Sequence, residues 1–379
     1  MSRLAALSRL ARRGLPPVGT TPADVVHREN KLALLRYRQR PEGLAFATPI
    51  FLVPSLINRH YVLDLMPGKS FVEWLVARGH DVFCIDWGTP GPGDRWIDLD
   101  TIFDGYVRHA ARAARAASGA DRLHTLGYCM GGLMSLVHAS LNPGEVATTT
   151  ALATPVRFRT GDDSLLGAWT RSPTFDVRAL VDATGIVPWQ LLQSAFQMLR
   201  PTMTVSKAMQ FIDRLEDDPF VDGFLALETW GNDNVGLPGA FYEQYLTDFY
   251  RGDKLARGEL MVGGRRVELA RLAMPVHCVS FQNDSIVPLE SAQELLLLAG
   301  SNDKVASVLS GGHVGAVVSK SAADRLWPKL AGFWEARDHL GRNAKATPHA
   351  MPEGVGAASE CPDARTARKG AKRVAAPRK

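Results

Sequence analysis

Residues Arg122 to Ser140 read "RLHTLGYCMGGLMSLVHAS", and the reading of the middle of this stretch decides the fold. Its first seven residues form a short apolar run suited to a buried strand. The residues from Met130 onward have the composition of a buried helix. Between the two lies Gly127-Tyr128-Cys129-Met130-Gly131, a sharp turn with glycine two positions to either side of a cysteine. A side chain presented at such a strained turn leaves no room for side chains at its flanks, so glycines there let strand and helix backbones approach. Cys129 then stands at a helix amino terminus, where the dipole and unpaired N–H groups favour negative charge. The N–H of Met130 is the natural first donor to an oxyanion. The pattern has the form of a hydrolase nucleophile elbow with cysteine in place of the usual serine. By itself a G-x-C-x-G match is weak, because the chain holds 34 glycines and buried cysteines are common.

Working outward, short β-rich runs alternate with helical segments. "TPIFLVPSL" from Thr48 precedes "SFVEWLVARG", and "DVFCIDW" precedes the long "DLDTIFDGYVRHAARAARAASG"; "VATTTALATPV" follows the elbow helix. Repeated units of this kind predict an α/β fold with a mostly parallel central sheet covered by helices on both faces. After Arg157 the rhythm breaks, and helical patterning ("VPWQLLQSAFQMLR", "AFYEQYLTDFYRG") continues until the strand "MPVHCVSF" resumes the series at Met274. An insertion of that length between late core strands predicts a helical cap over the sheet. The expected organisation is an amino-terminal basic segment over 1–20, the core over 21–157 and 274–340, the cap over 158–273 and a basic tail over 341–379. The last core strand is expected at "KVASVLS", with a helix from about Ala322 to His339 behind it.

An elbow of this type requires an acid and then a histidine further along the chain, each in a loop after a late strand. "CVSFQNDSIVP" places Asp284 just past a strand, and "VLSGGHVGAV" places His313 just past the next one, behind two glycines. Asp284 also suits a turn or cap before "IVPLESAQELL", whereas a histidine among glycines is harder to explain as packed core. Nucleophile, acid and base thus appear in the required order. Asp86 in "CIDWGTPG" ends a strand too, but it precedes the nucleophile and is a structural or pocket residue on this reading; His109 and His138, on helices, are ordinary. A second oxyanion donor is expected from the loop "PSLIN", at the N–H of Ile57 with Leu56 beside it and Asn58 ordering the loop; a simple turn leading into "RHYVLDL" is the lesser alternative.

Composition narrows the function. With 46% hydrophobic and 22% charged residues, the chain has material for a large core. The net charge of +5 is misleading, because from Gly341 onward nine Lys/Arg stand against three acids. The rest of the chain is near −1, which argues against a surface built to grip nucleic acid. The tail, poor in large apolar residues, is expected to be disordered and solvated. The four cysteines show no disulfide or metal spacing, which fits a reducing cytoplasm. The arginine-studded "MSRLAALSRLARRGLPP" does not read as a signal peptide; it is either a solvated helix or an amphipathic one on a surface or partner. No window approaches a membrane span. Neither a phosphate-cradling glycine loop nor clustered metal ligands are present in the sequence, so no nucleotide cofactor or metal is expected.

The segments "ENKLALLRY", "FLVPSLINRHYVLDLMPGKSFVEWLVARGHDVFCIDWGTPGPGDRW", "GYCMGG", "FYRGDKLARGELMVGGRRVEL", "DSIVP" and "GGHVG" together resemble the polyhydroxyalkanoate synthases, specifically the short catalytic subunit of the two-component class III type. The likeness spans roughly residues 20 to 338. It implies an α/β-hydrolase fold, a triad of Cys129, Asp284 and His313, and polymerisation of (R)-3-hydroxyacyl-coenzyme A, 3-hydroxybutyryl above all, with coenzyme A serving only as the acyl carrier. It further implies a second, non-catalytic subunit, oligomerisation and a place at the surface of polyester granules. One departure stands out: the family usually has histidine after the catalytic aspartate, where this chain has Ser285. A cysteine hydrolase on the same fold, a thioesterase or polyester depolymerase, and a non-catalytic granule scaffold are the competing readings.

Overall fold

The alternating apolar runs become the strands of one eight-stranded sheet. In chain order these are β1 (Ala23–Glu29), β2 (Leu32–Tyr37), β3 (Ile50–Val53), β4 (Val82–Asp86), β5 (Leu123–Tyr128), β6 (Val146–Leu152), β7 (Val276–Phe281) and β8 (Lys304–Leu309). They lie in the order β1-β2-β4-β3-β5-β6-β7-β8. All neighbours from β4 to β8 are parallel, while β1 pairs β2 and β2 pairs β4 antiparallel. This is the α/β-hydrolase architecture. The structure, a computed structural model, describes residues 12, 14–160, 165–199 and 203–342. Expectations about the segment before residue 12 and the basic tail after residue 342 lie outside the described residues.

Burial explains why the interior strands were readable. Every residue of β3, β5, β6 and β7 is buried, as strands covered on both faces must be. Alternation then divides each strand between two cores: Phe51 and Val53 face one cluster, Ile50 and Leu52 the other. The first cluster is closed by α2 (Val107–Ser118) and α3 (Met130–Leu141), the second by α1 (Phe71–Ala77) and a carboxyl-terminal helix over Trp327–Glu335. In the second, Trp334 is fully buried and its Nε1–H donates to Thr150 Oγ1 at 3.1 Å. The single helix expected from Ala322 to His339 is instead broken. Lys320–Arg325 and Trp327–Glu335 are separate helices, with Pro328 in the first turn of the second, and Asp338–Gly341 is a 3₁₀ turn. Proline supplies no N–H and disfavours helical backbone just before it.

Between β6 and β7 lie α4 (Leu165–Arg171), α5 (Val177–Thr184), α6 (Trp189–Met198), α7 (Met203–Asp213), α8 (Asp218–Asn232) and α9 (Gly239–Tyr245). Helix α9 runs on as a wider π-type turn through Arg251. Beyond it the 158–273 segment holds only one short 3₁₀ turn, Leu269–Arg271, among the described residues. Residues 253–272 form a loop and a tight hairpin, Met261–Val262 against Arg265–Arg266, whose two turn residues, Gly263 and Gly264, both have positive φ. Leu255, Leu260, Val262, Val267 and Leu272 of this stretch are buried in the first core cluster.

Candidate active site

Strand β5 ends at Tyr128 and α3 begins at Met130, so the chain must reverse at Cys129. It does so with φ 56° and ψ −122°, a conformation that costs a non-glycine residue free energy and persists only where the surroundings fix it. They do fix it. Cys129 N–H donates to Leu152 O at 2.9 Å, and Cys129 O accepts from Gly132 N at 3.0 Å. A Cβ on Gly127 would run into the backbone of Gly131 and Gly132; one on Gly131 would run into Val53 O and Pro54 O. The two flanking glycines are therefore a steric necessity. Met130 is the first residue of α3, where N–H groups have no intrahelical acceptor.

Asp284 and His313 are brought to the same edge by the loops after β7 and β8. His313 Nδ1 lies 2.7 Å from Asp284 Oδ2. A carboxylate only accepts, so Nδ1 carries a proton and donates it to Asp284, which leaves Nε2 for another partner. Both side chains are almost wholly buried. The other carboxylate oxygen, Oδ1, accepts from Ile286 N and Val287 N, each at 2.9 Å. Asp284 is thus both the turn residue and the partner of the histidine, one oxygen for each. Burial by itself would lower the His313 pKa. The negative charge of Cys129, with hydrogen bonds to Asp284 and Cys129, outweighs it, and the value is raised well into the alkaline range. Tyr128 stacks on the imidazole, with ring centroids 5.3 Å apart and planes 29° apart, and its hydroxyl donates to His313 O at 3.3 Å.

The loop after β3 comes from the adjacent strand. β3 and β5 are in register as Val53 with Gly127, so the residues just beyond each strand emerge side by side. Trp87 Nε1–H donates to Pro54 O at 3.0 Å and holds the start of the loop. Its other end is tied to the end of α8. Val235 N–H donates to Ile57 O at 3.0 Å, Asn58 Nδ2 donates to Asn234 Oδ1, and Trp230 Nε1–H donates to Arg59 O at 2.9 Å. Arg59 Nε and the Tyr61 hydroxyl both reach Asp233, at 3.1 and 2.8 Å. Ile57 is buried in this loop and stands in the wall beside Cys129. Asn58 orders the loop, through its bond to Asn234.

Cys129 stands between two cavities. One, of about 690 Å³, is apolar and roofed by the intervening helices; Trp169, Leu192, Phe196, Tyr242, Tyr245 and Tyr250 line it. Burial first, and then the charge on Cys129, push the phenol of Tyr250 up. The other, of about 980 Å³, contains His313, Tyr128, Asn58, Trp230, Ser55 and Ser285. The other described cysteines do not compete with Cys129. Burial raises the Cys84 thiol strongly and pushes Cys278 up to about 12, which keeps both protonated at neutral pH.

The structure therefore brings together Cys129, Asp284 and His313, with Met130 and Ile57 beside the sulfur. Asp86 stays apart: it accepts from Gly88 N at 3.0 Å and lies 3.4 Å from His60, a structural task. His109 pairs with Glu29, and His138 is buried in α3, where desolvation takes its pKa down to about 4. Sequence reading missed Tyr128, although it is the residue just before the nucleophile. It also missed the tyrosines of "FYEQYLTDFYRG", at 242, 245 and 250, which read as ordinary residues of a packed helix, and Asp233 with Asn234, whose partners lie more than 170 positions away. Among the described residues no group of three or more His, Cys, Asp or Glu side chains is placed to hold a metal ion, and no helix is long and apolar enough to cross a membrane.

The α/β-hydrolase fold family matches residues 48–310, and the family described as the poly-beta-hydroxybutyrate polymerase (PhaC) N-terminus matches residues 16–75. Among curated relatives, the poly(3-hydroxyalkanoate) polymerase subunit PhaC of Allochromatium vinosum is 35% identical, over 83% of this chain and 88% of the relative. The subunit of the same name from Synechocystis is 33% identical, over 84% and 86%. That of Haloferax mediterranei is 36% identical over 86% of this chain, which spans 66% of that relative's length. Among solved structures, a monoglyceride lipase from Saccharomyces cerevisiae superposes with a TM-score of 0.57 at 13% identity, covering 86% of this chain and 99% of the lipase. That likeness concerns the fold alone.

Proposed function

The chain belongs to the family of poly(3-hydroxyalkanoate) polymerase subunits, and from that premise we propose that it joins (R)-3-hydroxyacyl units into a polyester and releases coenzyme A, with Cys129 as the nucleophile, His313 as the proton carrier and Asp284 as the group that orients it. The observation that carries this reading is the buried contact of His313 with Asp284, at a cavity that His313 and Cys129 both line. In the first step the Cys129 sulfur attacks the thioester carbonyl carbon, the bond from that carbon to the sulfur of coenzyme A breaks, and the leaving thiolate takes a proton from His313. Met130 N–H, and Ile57 N–H from the loop after β3, face the oxygen as it gains charge. One thioester replaces another, so the acyl group stays activated; a serine ester would lose much of that activation.

The second step needs a base, and acylation creates one. Having given its proton to coenzyme A, His313 is left as a neutral imidazole, oriented through Nδ1 by Asp284. It accepts the proton of an incoming unit's 3-hydroxyl. Its oxygen forms the new ester bond, the bond from the acyl carbon to sulfur breaks, and Cys129 leaves with the electron pair. The chain returns to Cys129 by a further thioester exchange. Water would hydrolyse the same intermediate, and the cover of α6 and α9 over the apolar cavity serves to exclude it. We expect 3-hydroxybutyryl-coenzyme A as substrate, no cofactor, a second non-catalytic subunit, and work in the cytoplasm at the surface of polyester granules.

Product analysis with 3-hydroxybutyryl-coenzyme A tests the reading, with and without a candidate second subunit. Released coenzyme A with insoluble polyester is expected. Coenzyme A with free hydroxyacid would instead establish a hydrolase. Cys129→Ala should abolish turnover and acyl labelling while the fold survives; substantial residual activity would remove Cys129 from its role.

A further inference from the structure

Ser55 is 3% exposed, and its hydroxyl oxygen is buried with no hydrogen-bond partner. Buried hydroxyls are nearly always paired, so one without a partner calls for a specific reason. Ser55 lies in the wall of the cavity that contains Cys129 and His313. The register of Val53 with Gly127 accounts for this, because Ser55 is two residues past the one and Cys129 two past the other. The backbone leading to Ser55 is fixed: Pro54 O is held by Trp87 Nε1, and the backbone at 53 and 54 is packed against Gly131. Four of the polar side chains on that cavity are committed elsewhere. Asn58 and Asn234 bond each other, the Tyr128 hydroxyl bonds His313 O, and His313 Nδ1 bonds Asp284.

We propose that Ser55 binds the 3-oxygen of the hydroxyacyl unit in the cavity that contains His313, and so makes the site selective for hydroxylated acyl thioesters. The inference rests on the polymerase reading and deepens it. A 3-hydroxyacyl thioester has two oxygens near the reaction. The carbonyl oxygen is met by the N–H groups of Met130 and Ile57, which leaves the 3-hydroxyl in need of partners. Three bonds from the reacting carbon, it falls in the same cavity, where it accepts from the Ser55 hydroxyl. Nothing covalent changes at Ser55. The serine adds one hydrogen bond that a substrate without the 3-hydroxyl cannot make.

Cys129 acylation by 3-hydroxybutyryl-coenzyme A and by butyryl-coenzyme A, followed by rapid quench and intact-protein mass, reads this bond directly. The full-length protein should acylate faster with the hydroxylated thioester. Ser55→Ala should cut that rate ratio roughly threefold to tenfold, the worth of one hydrogen bond, and leave the butyryl rate unchanged; Ser55→Thr should restore the ratio. If both rates fall together and the ratio holds, Ser55 only supports the loop and the inference is overturned. If neither thioester acylates the unaltered protein, the polymerase reading fails first and takes this inference with it.

Discussion

The two sides of Cys129 are built differently. The proton-carrying side hangs on the core alone: Asp284 follows β7, His313 follows β8, and Tyr128, the last residue of β5, stacks on the imidazole and bonds its carbonyl. The oxyanion side is shared. Its loop leaves β3, but its far end is fastened to α8 and the residues just after it by Asp233, Asn234, Val235 and Trp230. On the proposed mechanism, proton transfer is thus set by the rigid sheet, whereas charge stabilisation depends on where the inserted helices sit. Opening the helices to admit substrate would loosen the second without disturbing the first.

The sharpest test acts on the core side. Asp284→Asn can keep the Oδ1 bonds to Ile286 and Val287 while its amide replaces the acceptor for His313 Nδ1–H, forcing the wrong tautomer. Turnover should fall by roughly 10³- to 10⁴-fold, as in triads treated this way, with little change in melting temperature. A loss below tenfold would show that the acid does not orient the histidine. Next, Asp233→Ala releases Arg59 and Tyr61 and should lower kcat by roughly 10- to 100-fold, less than the roughly 10²- to 10³-fold cost of losing an oxyanion donor outright. The pH titration of His313, followed by NMR, should not move; if it shifts, the two sides are not independent. Smallest is Tyr128→Phe, which keeps the stack and deletes one hydroxyl bond to His313 O. A twofold to tenfold loss in kcat, about one hydrogen bond, is expected, with KM unchanged in steady-state kinetics.

The same contrast governs what could be read from the chain. β3 to β8 announced themselves because most are covered on both faces and so are continuous apolar runs. β1, "ADVVHRE", is an edge strand with most residues exposed, and nothing in its pattern separates it from a loop. Cys129, Asp284 and His313 were legible because an elbow prescribes their order and their place after strands. The Oδ1 bonds of Asp284 met the turn reading as well, so the two readings were never exclusive. Asp233 and Asn234 carried no such signal. Their partners, Asn58, Arg59 and Tyr61, lie across the whole core in sequence, and only packing of α8 on the loop brings them together.

Steric closure of the elbow also directs where this protein can be re-engineered. A Cβ at Gly127, Gly131 or Gly132 collides with backbone or with Thr154, so the ground beneath the sulfur admits no alternative residues. The opposite wall is made of side chains alone, those of Trp169, Leu192, Phe196 and Tyr242 among them. A library intended to widen the range of monomers therefore belongs on the helices above Cys129, where shape can change one side chain at a time, and every position spent on the turn below it is lost to misfolding.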